Sequence, residues 1–229
     1  MGGDSPNIFE RIEITHPYLL IVEGKDEVEF FKAFFQFLKK SSYEWDGLND
    51  IQIISTDSKD KLPKLLEIVP DLVNSDQIKR IAIIQDADND QNRSFQQIQK
   101  ILTKIGFPVP ECQIEPKIGK INVNQVISVQ VLIISVDGKG MLEDICLDSV
   151  SDDCAMPCVE SFFNCLSKFY LTSELIPPKN LSKAKTRVFL ASRKECTLYI
   201  GLAAKEGYWN FEKPSFDKMK ELLQVLIMN

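Results

Sequence analysis

Ile81-Ala82-Ile83-Ile84-Gln85-Asp86-Ala87-Asp88-Asn89-Asp90 is an apolar run that stops abruptly at carboxylates. The same arrangement occurs earlier, in Leu19-Leu20-Ile21-Val22-Glu23-Gly24-Lys25-Asp26. Each run is followed by apolar residues at helical spacing. A continuous apolar run, not an alternating one, is what a strand buried on both faces requires. In an open α/β sheet, ligands collect at the carboxyl ends of the strands. Acidic groups converging there are the oxygen donors that Mg²⁺ takes, its other positions being filled by water or phosphate.

The rest of the chain follows from these two runs. Residues 18–22 form the first strand. Residues 26–40 repeat at helical spacing through Val28, Phe31, Phe34 or Phe35 and Leu38, with Asp26 and Glu27 in the first turn and Lys39 and Lys40 in the last, as the helix dipole favours. Residues 51–54 give a second strand, and residues 62–73 a helix interrupted at Pro70. A third strand covers 80–85, and a helix over 94–105 ends at Gly106. This βαβαβα rhythm predicts an α/β fold, a mostly parallel sheet flanked by helices. Residues 106–124, with Pro108, Pro110, Pro116 and Gly119, read as a long loop. An apolar strand over 126–136 ends in Asp137-Gly138-Lys139-Gly140, and a helix over 141–150 carries Glu143 and Asp144 in its first turn. Residues 155–171, 182–192 and 216–228 read as helices, with a joint at Pro177-Pro178. The expected organisation is an α/β domain over 1–150 and a C-terminal helical extension over 151–229 that packs on it.

The chain has 229 residues, 44% of them hydrophobic and 26% charged, the balance of an ordinary globular protein. No apolar run approaches the roughly 20 residues that span a bilayer. The first ten residues lack a basic end followed by an apolar stretch, so no signal peptide is expected. Gly2 follows Met1, but Pro6 stands where a myristoylation signal wants Ser or Thr. A cytoplasmic location is the expectation. A net charge of −6 argues against nonspecific grip on nucleic acid by a basic face. It is compatible with a metal-dependent nuclease, whose carboxylates are neutralised locally by cations. Six cysteines are too sparse for a disulfide scaffold. Cys154, Cys158 and Cys165 share a helical stripe and read as buried, inert thiols. His16, the single histidine, reads as a flank of the first strand.

At this point the residues resemble a Toprim domain, the module of topoisomerases, bacterial primases, OLD-type nucleases, small ribonucleases and recombination mediators. Val22-Glu23-Gly24-Lys25-Asp26 is similar to the Glu-Gly motif of OLD-like and stand-alone members, and Asp86-Ala87-Asp88-Asn89-Asp90 to the Asp-x-Asp-x-Asp motif. A narrower likeness, to an uncharacterised group of small prokaryotic Toprim-like proteins, runs through Gly138-Lys139-Gly140-Met141-Leu142-Glu143-Asp144, residues 183–193 and Gly207-Tyr208-Trp209. The resemblance implies a Toprim-like (Rossmann-like) fold and Mg²⁺- or Mn²⁺-dependent phosphodiester cleavage of DNA or RNA. It implies metal ligation by Asp86, Asp88 and Asp90. Glu23 would act as general acid or base, or would ligate a second metal with Glu143 and Asp144.

A cation is needed where charge develops on the phosphorus. OLD-like nucleases carry a lysine in a comparable downstream helix, which points to Lys183, Lys185 and Arg187, with Lys185 preferred as the catalytic group. Gly24 and Lys25 would contact phosphate from the first β–α loop. The sequence has no Gly-x-x-x-x-Gly-Lys-Ser/Thr motif, so an ATPase half is not expected within it and an ATPase would be a separate partner. Two other classes stay open, a non-catalytic metal, nucleotide or nucleic-acid binding module and a regulatory subunit, and a homodimer is compatible with any of them.

Overall fold

The structure, a computed structural model, describes residues 12–228. The readings at Gly2, Pro6 and the first ten residues lie outside the described residues. In chain order the elements are β1 (Tyr18–Val22), α1 (Lys25–Ser41), β2 (Ile51–Ser55), α2 (Leu62–Ile68), β3 (Arg80–Asp86), α3 (Gln91–Ile105), β4 (Lys117–Lys120) and β5 (Val126–Ile134). Five helices follow: α4 (Leu142–Ser149), α5 (Met156–Leu171), α6 (Leu181–Ala191), α7 (Ile200–Lys205) and α8 (Asp217–Ile227).

The strands form one sheet in the order β2-β1-β3-β5-β4, an α/β, Rossmann-like arrangement. All neighbours are parallel except β4, which runs antiparallel on the edge of β5. The chain goes from β1 outward to β2, then returns across β1 to β3 on its other side. The order therefore reverses between β1 and β3, which is the switch point where open α/β sheets leave a crevice at the strand ends. Ile21 stands level with Ile54 on β2 and Ile83 on β3, so β1 ends beside the last residues of β3, which runs on to Asp86.

Burial on both faces explains the continuous apolar runs. Leu20, Val22, Ala82, Ile84, Leu132 and Ile134 face one layer, with α1, α4, α6, α7 and α8. Leu19, Ile21, Ile81, Ile83, Val129 and Val131 face the other, with α2 and α3. The first layer is aromatic. Phe30, Phe31, Phe34 and Phe216 are completely buried, and the Phe34 and Phe211 ring centres stand 4.9 Å apart. Each such side chain stabilises the fold by about 1.5–3 kcal/mol through removal of apolar surface from water. From residue 151 the chain is helical, and it shares this core with the sheet. The buried Gln130 amide of β5 donates to Leu222 O at 3.0 Å. The Arg80 guanidinium donates to Leu226 O at 2.9 Å and to Met228 O, at the carbonyl-bearing end of α8 that favours cations.

Pro70 interrupts the second helix as expected. α2 ends at Ile68, and a 3₁₀ turn covers Val69–Asp71. Two expectations are corrected, and one helix is new. The segment 106–124 contains β4, whose exposed Lys-Ile-Gly-Lys carries no burial pattern because it pairs on one side only. Helix α7 was not foreseen. Cys154, Cys158 and Cys165 are exposed: Cys154 lies in the turn before α5, and α5 turns Val159 and Phe163 inward and its two cysteines outward. All six cysteines are free, and only Cys146 is buried. Among the described residues, no helix is long and apolar enough to cross a membrane.

Candidate functional site

Glu23 leaves the end of β1, and Gly24 caps α1 in extended backbone geometry (φ −127, ψ 170). A Cβ on Gly24 would stand 2.4 Å from Glu27 Oε2. Glycine therefore allows the Glu27 carboxylate to fold back over the loop beside Glu23. Asp26, between them, is used differently. Its two carboxylate oxygens accept from Ile200 N at 2.8 Å and Gly201 N at 2.9 Å, closing the start of α7. Gly201 is required for that approach, because a Cβ would lie 2.5 Å from Asp26 O.

Asp86 ends β3, and its Oδ1 accepts from Leu142 N at 3.1 Å, the first residue of α4. Asp88 follows in left-handed geometry (φ 52), which Asp tolerates better than most residues. Its backbone exchanges two hydrogen bonds with Gly140, at 2.9 and 2.8 Å. Gly140 has φ 102, and a Cβ there would stand 2.6 Å from Asp144 Oδ2. The turn Asp137-Gly138-Lys139-Gly140 thus fastens the start of α4 against the end of β3. It brings in Glu143, whose side chain is 12% exposed and stands 3.7 Å from Lys183 Nζ of α6.

Glu23, Glu27, Asp86 and Glu143 are crowded together, and their electrostatics show it. Burial is the largest cause in all four and raises each carboxyl above its ordinary range. Asp86 is pushed furthest, well above 3.8, with Glu143, Glu23 and Glu27 adding repulsion. Lys59 acts against the shift at Glu23, and Lys183 against those at Glu27 and Glu143. Glu23 Oε2 is buried without a hydrogen-bond partner. A buried, unpartnered oxygen of this kind costs about 1–3 kcal/mol.

Among the sequence-predicted site residues, the structure brings Glu23, Asp86, Asp88, Glu143 and Lys183 to one place. Gly24 stays in the loop beside Glu23, and the remaining residues are engaged elsewhere. Asp90 caps α3, accepting from Arg93 N at 3.0 Å. Asp144 caps α4, accepting from Met141 N at 2.8 Å and from the Ser182 hydroxyl. Lys185 is held by both Glu160 oxygens, at 2.6 and 2.8 Å, on the side of α6 that faces α5. Arg187 is exposed on α6, and Lys25 is exposed at the start of α1 beside a separate pocket lined by Tyr199 and Lys205. Gly24 has its open side covered by Glu27. His16 sits at the opening end of β1, with Nδ1 2.7 Å from Thr15 Oγ1, away from the strand ends.

Two site residues were missed. Glu27 read only as a first-turn helix acid, although its spacing of one helical turn from Glu23 was a usable signal. Lys59 lies in a polar turn after β2 with nothing in its neighbourhood to mark it. Its ammonium donates to Asp86 O at 2.9 Å and to an Asp88 carboxylate oxygen, and it stands 3.9 Å from Glu23 Oε2.

Among the described residues, no three His, Cys, Asp or Glu side chains already stand in a metal-holding group. The donors at the strand ends are of the type that hard divalent cations take. They are carboxylate oxygens only, one of them buried and unpartnered, and a cation would relieve the repulsion among them. This architecture coincides with a family match over residues 17–228. The chain belongs to DUF3226, a family of proteins of unknown function. The DUF3226 match takes in both acidic strand ends, the turn at Gly140 and the C-terminal helices. No curated protein and no solved structure matches the chain.

Proposed function

We propose that the chain is a divalent-cation-dependent phosphodiesterase of the Toprim type that acts on nucleic acid at the switch point between β1 and β3. The observation that carries this reading is the crowding of Glu23, Glu27, Asp86 and Glu143, from three separate parts of the chain, at the place where α/β sheets bind ligands. Crowding of this kind destabilises a protein unless a cation or a proton enters, and perturbed carboxyls of this kind gather at functional sites.

Asp86, Asp88 and Glu143 would hold Mg²⁺ or Mn²⁺. The ion would supply neutralisation of the phosphodiester charge. Glu23, its carboxyl raised by burial, holds a proton to a higher pH than an ordinary glutamate and suits delivery of that proton to the leaving oxygen. Lys183, half exposed beside Glu143, would offer its charge to a phosphate brought to that ion. The test is cleavage of labelled single- and double-stranded DNA and RNA with Mg²⁺, Mn²⁺ or chelator, using the wild-type chain and Asp86→Asn. Metal-dependent cleavage that falls about a hundredfold or more in the variant is expected. Equal activity in both proteins, or none in either, sinks the reading.

One observation favours a second reading, a regulatory subunit that binds an ATPase or another protein. Phe162, Phe169 and Leu171 of α5, with Ile176 beyond it, are exposed, and apolar side chains gathered on a surface suit contact with a partner. Absence of cleavage, together with a partner whose capture is lost in Phe162→Ser, would move the assignment there.

A further inference from the structure

Lys59 is the only cation that reaches from the β2 side into the acidic cluster among the described residues. It comes from the 3₁₀ turn Lys59–Lys61 that follows β2. Its ammonium spans the two strand ends, donating to Asp86 O and Asp88 on the β3 side and standing 3.9 Å from the unpartnered Glu23 Oε2 on the β1 side. An ion held on the Asp88 carboxylate at the end of β3 would need the same space. Two cations a few ångströms apart repel, so they exclude each other there.

The side chain is 25% exposed, which leaves a path outward along its flexible four-carbon stem. Its neighbours add no second anchor. Lys61 is turned to Asp57 at 3.8 Å, and Lys183 lies on the far side, at Glu143.

We propose that the Lys59 ammonium is the resident counter-ion of this site, holding the place of the divalent cation and yielding it when the cation binds. The proposal rests on the reading of the cluster as a cation site. Its consequence runs against that of a structural lysine. Removing a residue that merely supports the site loosens the ligands and weakens metal binding, whereas removing a competitor strengthens it.

The experiment is calorimetric titration of Mn²⁺ into the full chain, comparing wild type, Lys59→Met, Lys59→Arg and Asp86→Asn, with circular dichroism to verify folding. Lys59→Met keeps the length of the stem and deletes the charge. A neighbouring charge at this range changes an ionic equilibrium by about tenfold or more. Lys59→Met is therefore expected to bind Mn²⁺ at least tenfold more tightly than wild type, and Lys59→Arg no more tightly than wild type. Equal or weaker binding by a folded Lys59→Met overturns the counter-ion role and leaves the cation site standing. Absence of Mn²⁺ binding in every protein overturns the role and the cation site together. Tighter binding in Lys59→Arg as well as Lys59→Met also overturns it, since charge would then not be the cause.

Discussion

Two acidic regions of the molecule use the same residue types to opposite ends. In the turn before α5, Asp153 receives a two-point grip from Arg193, at 2.8 and 3.0 Å, and Asp152 meets Lys213 at 2.8 Å. Those hydrogen bonds hold both carboxyls below their ordinary range. At the strand ends, Glu23, Glu27, Asp86 and Glu143 meet burial and one another, and all four carboxyls rise. The first region fastens the C-terminal helices to the turn that starts them. The second holds repulsion in reserve, which only a cation or protons remove. A cluster of acids is therefore defined by its counter-charges rather than by its count.

The sharpest way to break this contrast is pH. The folded chain holds a proton on Asp86 more tightly than the unfolded chain, whose carboxyl has its ordinary value of 3.8. Between 3.8 and the raised folded value the native state binds more protons, so this group removes stability as pH rises. Asp153 has the reverse sign, and it removes stability as pH falls toward and below 3.8. In thermal melts without metal, Asp86→Asn is expected to melt several degrees above wild type at neutral pH. That gain should vanish near pH 3.5 and shrink on adding Mg²⁺. An unchanged or lower melting temperature at neutral pH would show that Asp86 carries no such penalty.

A smaller effect is expected from the supporting region. Arg193→Met removes the grip on Asp153 and the guanidinium that lies 4.2 Å over the Phe189 ring. Urea denaturation should show a loss of about 1–3 kcal/mol. A difference below about 0.5 kcal/mol would make this pair an ordinary surface contact. The smallest effect is expected at Lys185, whose ammonium is bound to Glu160 on the face toward α5. Lys185→Met should leave metal affinity and cleavage within about twofold of wild type and cost at most about 1 kcal/mol of stability. A loss of activity of tenfold or more would return Lys185 to the catalytic role that the downstream-helix resemblance suggested.

The parts of the fold that were legible in the sequence are those whose environment is set locally. The runs at Leu19–Val22 and Ile81–Ile84 announced strands covered on both faces, and the carboxylates after them marked the edge where the acids gather. The invisible parts depend on distant partners. Lys-Ile-Gly-Lys becomes β4 only because β5 lies beside it. The six residues of α7 form a helix whose start is capped by Asp26, far back in the chain. Lys59 enters the site because β2 sits next to β1. Asp90 and Asp144 carried the acid pattern of ligands, and both became helix caps, a role the same side chain fills as readily. The cysteine stripe had the right period but the wrong face, since periodicity states that a helix has two sides and not which side meets the core.

The contact between Asp26 and the start of α7 also sets a schedule. Its hydrogen bond to Ile200 joins residues 174 positions apart. Contacts this remote carry a large loop-closure cost and form late. Glu23 and Glu27 flank that contact, and Glu143 awaits Lys183 from the same late-arriving part of the chain. As the protein is synthesised from its N-terminus, both acidic strand ends emerge long before the helices that fix their surroundings. The strand ends are thus made early and become a site late, and a truncated chain would carry the acids without their setting.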